Sequence, residues 1–129
     1  MTRPIPYDKW PAKKRKRELI VEHWFGRDLM ASARDYAWER ISPTASRKAR
    51  NLAQKAALDA IYGVMMLLDG VTSTRIDASH AVQYLLLGRV IELNKPDGAD
   101  VLEQYEIAPG GDGLCMGFHG WVEGDFGES

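Results

Sequence analysis

At 129 residues, 45% of them hydrophobic and 27% charged, the chain has ordinary globular composition and length enough for one core without metal or disulfide staples. Its single cysteine excludes an intramolecular disulfide, its longest apolar run (AIYGVMMLL, 60–68) is too short to cross a bilayer, and no apolar leader opens it, so a cytoplasmic protein with no membrane partner is expected. The net charge of −1 hides a split: residues 1–58 hold 14 Lys/Arg against 6 Asp/Glu, whereas residues 59–129 hold 3 against 12, which favours mutual attraction of the two parts over a nucleic-acid face.

Residues 1–10 carry Pro4 and Pro6 and no helical period, and read as an extended arm anchored by Ile5, Tyr7 and Trp10. From Pro11 a first helix is expected, opening on Lys13, Lys14, Arg15, Lys16 and Arg17, continuing through Leu19, Ile20, Val21, Trp24 and Phe25, and ending at Gly26. A second helix would reach about residue 40, with Leu29, Ala33, Tyr36, Ala37 and Ile41 on one side.

The clearest pattern lies in residues 42–70. Ser42 and Pro43 suit an N-cap and first helical position, and Gly70 suits a stop. Between them Ala49, Leu52, Ala53, Ala56, Ala60, Val64, Leu67 and Leu68 fall on one 3.6-residue face. The spacing predicts a long central helix whose stripe from Leu52 to Leu68 faces a sheet. Tyr62, Met65 and Met66 fall on another arc, shared with Arg47, Asn51 and Lys55. That arc needs cover either from the chain itself or from a second copy, and a homodimer pairing these helices is one expectation.

Beyond Gly70 the reading turns to β-structure. Residues 82–93 (VQYLLLGRVIEL) fit a central strand and also helical spacing; Gly88 in the middle favours the strand. Residues 94–98 (NKPDG) form a turn, Val101, Glu103, Tyr105 and Ile107 alternate as the returning strand, and residues 109–113 (PGGDG) form another turn. A last strand is expected over 114–122, with Leu114, Met116, Phe118 and Val122 on one face and no helix N-terminus after the glycines. With no linker or repeat, the result is a single α+β domain: an extended arm (1–10), a helical part (11–70) including one long central helix, and a small antiparallel β-meander (80–123).

Chemistry-bearing groups are sparse. Five consecutive basic residues point all round a helix rather than along one stripe, and no helix-turn-helix, zinc-ligand set or RNA-binding strand motif accompanies them. Their position at a helix N-terminus predicts acidic groups nearby, with Glu103, Glu106, Glu123 and Asp125 as candidates. Asp77, His80, His119, Glu123 and Asp125 carry the residue types of an acid–base or metal site but match no established spacing. Cys115 has no base at motif spacing and reads as a buried cysteine whose acidic surroundings raise its pKa. The glycine- and aromatic-rich end reads first as Phe118, Trp121 and Phe126 closing the core over the long helix, and otherwise as a partner-facing edge.

The leading expectation is a protein without cofactor or catalytic activity that binds another protein as an accessory, inhibitory or regulatory module. The partner-facing candidates are Tyr62, Met65, Met66, His119, Trp121 and Phe126. Nucleic-acid binding through Lys13, Lys14, Arg15, Lys16 and Arg17 is the alternative, and an enzyme or metal site around His80 and His119 is the third reading.

Overall fold

Helix α1 (Lys14–Leu29) passes without a break into a π-helical turn (Met30–Arg34) and helix α2 (Asp35–Glu39), in a computed structural model that describes residues 4–72, 74–93 and 100–127. The expected stop at Gly26 is absent, and Gly26 lies buried inside α1. A Cβ there would run into the Trp121 indole, so this glycine marks a close approach of two elements rather than a helix end.

Helix α3 spans Arg47–Leu68, four residues later than Ser42–Pro43 would start it. Ser46 is the N-cap, its hydroxyl accepting the Ala49 N–H at 3.1 Å. Ser42, Pro43, Thr44 and Ala45 instead form a turn closed by the Ala45 N–H on the Ser42 carbonyl at 3.0 Å. Proline at the second position suits that turn as well as it suits a helix start. The C-terminus ends as expected: Gly70 has φ +79°, and Val71 and Gly70 donate to the Met66 and Leu67 carbonyls at 3.0 and 3.3 Å, a Schellman closure.

The buried side of α3 is not the expected stripe. Leu52 and Val64 are 61% and 51% exposed, Met65 is 1% exposed, and Leu58, Ile61, Tyr62 and Leu68 pack beside Met65 against the core. Leu67 is half-buried outside that cluster. The helix packs on α2 and on a fourth helix rather than on a sheet. Residues 60–68 are apolar all round, so the neighbour decides which side is buried.

The β part contains a two-residue ladder, β1 (Thr74–Arg75) with β2 (Ala81–Val82), and an antiparallel pair, β3 (Leu86–Glu92) with β4 (Asp100–Ala108). The strand reading of 82–93 therefore holds over Leu86–Glu92, whereas Val82 belongs to the short β2 ladder and residues 83–85 to neither strand; the expected 94–98 turn lies outside the described residues. Tyr105 and Ile107 face inward as the alternation requires. Gly88 lets β3 approach α1 and β4: a Cβ would stand 2.5 Å from Val21 Cγ1 and 2.8 Å from Ile107 Cδ1.

The expected third strand is helix α4 (Leu114–Val122), so the β part ends at Ala108 and the sheet has two long strands instead of three. Leu114, Phe118 and Trp121, spaced i, i+4, i+7, are at most 5% exposed, while Met116, expected to share a face with Leu114 and Phe118, is 76% exposed. Asp69, just past the end of α3, caps α4: its two carboxylate oxygens accept the Leu114 and Cys115 N–H groups, each at 2.8 Å. A helix N-terminus thus does follow the turn at 109–113, and its cap comes from a residue far away in sequence.

Candidate functional site

One face of α1 is not spent on the core. Lys16, Leu19, Ile20, His23, Trp24 and Arg27, spaced i, i+3, i+4, i+7, i+8 and i+11, line a cleft of about 480 Å³. Ile5 and Pro11 close one side and Asp125, Phe126 and Gly127 the other. The opposite side of α1, with Val21 and Gly26 buried and Phe25 and Leu29 packed beside them, faces the core. Helix α1 therefore has two apolar faces, and the second is left open.

Behind His23 stands Trp121, which is fully buried between Gly26 and Gly117. Its indole N–H donates to His23 Nδ1 at 3.1 Å, which fixes the neutral imidazole as the tautomer carrying its proton on Nε2. Burial pushes the His23 pKa down; Asp125 opposes this and Arg27 adds to it. Gly127 lies against the imidazole edge, where a Cβ would stand 2.6 Å from Cδ2 and 2.8 Å from Nε2. Asp125 holds this segment, accepting the Gly127 N–H at 3.0 Å.

Arg27 is the distinctive cation. Its guanidinium lies 5.0 Å from the Trp24 ring centroid and 5.2 Å from that of Phe126, a cation–π arrangement that fixes a flexible side chain. Burial lowers its pKa, yet a guanidinium keeps its charge. Among the described residues no carboxylate lies within 4.0 Å of it.

No protein family, curated protein or solved structure matches the chain. The site must speak through its geometry.

The structure divides the five-residue basic run. Arg17 donates to both Glu103 oxygens, at 2.7 and 2.6 Å, and lies over the Tyr7 and Trp10 rings at 5.2 Å each. Tyr7 and Tyr105 also donate to Glu103, whose carboxyl is held down to about 2, chiefly by Arg17. Arg15 pairs with Asp112 and with Glu18. Lys13 and Lys14 are exposed, and Lys16 lines the cleft. Of the expected acidic neighbours Glu103 is one, while Asp112 went unnoticed.

The other candidates scatter. Met65 is consumed by the core, and Tyr62 packs on Phe118 and His119 with ring centroids 5.5 Å away in each case. This face of α3, expected to need a second copy or the chain itself as cover, is covered by α4. Met66 is half-buried and His119 exposed on α4, Trp121 is consumed by the core, and Phe126 lines the cleft. His80 Nδ1 lies 2.7 Å from Asp77 Oδ1 in the exposed β1–β2 turn, so His80 and His119 belong to separate elements. The Ser79 N–H, then His80, hold the Asp77 carboxyl below its usual range, as an Asx turn does. Among the described residues no three His, Cys, Asp or Glu side chains gather to hold a metal. Half-buried Cys115 has its thiol pushed up by burial and then by Asp69, the direction expected from the acidic half. In sequence Trp24 reads only as part of the first helix, and Arg27 is not singled out; a second apolar stripe with cations at its ends was the available signal for the site.

Proposed function

We propose that the protein is a cytoplasmic binding module, accessory or regulatory to another protein, and that it receives a segment of that partner in the α1 cleft. The observation that carries this reading is the cleft itself: a preformed trough walled by Ile5, Leu19, Ile20, Trp24 and Phe126. Its volume is in the range of ligand sites. Binding is favoured over catalysis by how its polar groups are used: His23 Nδ1 is engaged by Trp121, and among the described residues no serine, threonine or cysteine lines the cleft. The one free thiol, Cys115, suits a reducing compartment. No helix among the described residues is long and apolar enough to cross a membrane.

Site-specific photocrosslinking tests the reading. A photoreactive phenylalanine replacing Trp24 should give discrete protein adducts in the native cell, and Arg27→Glu should suppress them. The same group replacing Met116, exposed on α4 outside the cleft, should give none. Equal adducts from both positions, or none from position 24, would refute a partner site in this cleft.

A further inference from the structure

The cations of the cleft specify what kind of segment fits. Lys16 and Arg27 stand at the two ends of the α1 stripe, eleven residues apart and therefore about 16 Å along the helix axis. Between them lie Leu19, Ile20 and Trp24. A phosphate group draws several cations to one point, whereas these two are held well apart. Arg27, fixed between two rings and without a carboxylate partner among the described residues, presents a planar fork that matches one carboxylate. Asp125 acts on His23 between the two ends, so a second acid is repelled from the middle.

We infer that the cleft recognises an extended acidic–apolar peptide: one carboxylate on Arg27, a second near Lys16, and apolar side chains between them against Ile20 and Trp24. At about 3.3 Å per extended residue the two acids are some five residues apart. The inference rests on the reading of the cleft as a partner site, and it adds the chemistry of the partner. The apolar contacts supply burial, and the acids fix register and exclude neutral sequences.

The test uses two blocked peptides, acetyl-Glu-Ala-Leu-Phe-Ala-Glu-amide and its double-Gln isostere, titrated into the full-length ¹⁵N-labelled protein. The Glu peptide should shift the Trp24 indole N–H and the amides of α1. The Gln peptide should bind at least about tenfold more weakly, the order expected for loss of a charge-assisted hydrogen bond. Arg27→Gln should remove most of the Glu peptide's advantage over the Gln peptide, leaving only what Lys16 contributes. The comparison of the two peptides on the unmodified protein stands even if that variant fails to fold. Equal binding of both peptides in the cleft would overturn the acidic preference and leave the partner site standing. Binding of neither would remove both. Shifts of these resonances with protein concentration alone, abolished by Arg27→Gln, would make a second copy the occupant and overturn the peptide.

Discussion

Glu22 offers the sharpest test of the packing. It lies on α1 and is 5% exposed, and its Oε1 has no hydrogen-bond partner. Burial drives its pKa from 4.5 to about 7, with Glu18 and Asp69 adding to the rise and Arg15 opposing it. The folded chain therefore holds a proton that the unfolded chain has already released between those two values. Stability from this group is complete below about pH 4.5 and falls as pH rises through about 7. Integrated from pH 5 to pH 8, the loss is about 2–3 kcal/mol. Glu22→Gln keeps the shape and cannot ionise, so its stability relative to wild type should rise by that amount across the interval. In urea this is a change of about 1–2 M in the difference between midpoints. The difference is the right quantity because burial holds His23 below its ordinary value, so His23 makes wild-type stability rise with pH in part of the same window. That contribution is common to both proteins and cancels. A difference that stays flat from pH 5 to pH 8 would refute an ionisable, desolvated Glu22.

Three further outcomes follow from the contacts. Gly26→Ala gains helix propensity but pushes a methyl group into the Trp121 indole, and thermal unfolding should show a net loss of roughly 1–3 kcal/mol; an unchanged melting temperature would remove Trp121 from that slot. Met65→Ala should cost roughly 2–5 kcal/mol and Leu52→Ala less than about 1, because the former is buried and the latter exposed; the reverse order in chemical denaturation would restore the stripe read from periodicity. Glu103, held down to about 2 mainly by Arg17, contributes stability that is present above its ordinary 4.5 and is lost as pH falls through about 2. Glu103→Gln should therefore flatten the acid limb of the unfolding curve, and an unaltered limb would show that the pair carries no such linkage.

What was legible in the sequence was what adjacent residues decide among themselves. Gly70 had to close α3 because the αL position and its two carbonyl acceptors lie within one turn, and the alternation ending in Tyr105 and Ile107 sets a strand's inner face locally. The misreadings share a different cause. Gly26 and Gly117 resemble helix breakers until Trp121 is seen between them, and the cap that permits α4 is the side chain of Asp69, 45 residues before Leu114. Leu114, Phe118 and Trp121 satisfy the helical period, while Leu114, Met116 and Phe118 satisfy the alternating one; a distant carboxylate decides for the helix. The cleft was hidden for the same reason, since two open faces on α1 become one only when the sheet, α4 and the Trp121 side chain cover the other.

The charge split resolves by residue kind rather than by position. Within the basic run the arginines fasten the molecule: Arg17 joins α1 to β4 through Glu103, and Arg15 joins it to the turn before α4 through Asp112. Each fork orients two donors, a task that lysine's single ammonium performs poorly. The lysines remain outside, Lys13 and Lys14 to solvent and Lys16 at the rim of the cleft. Attraction between the basic and acidic halves is thus built into individual contacts, and it is spent there. Arg27 breaks the pattern. It is an arginine with a fixed, partly buried fork and two rings around it, yet no acid within reach among the described residues. Desolvating a guanidinium against Trp24 and Phe126 without a carboxylate is costly for folding alone. The cost becomes useful if the carboxylate arrives with the partner, because the fork is then already oriented and its side-chain entropy already lost.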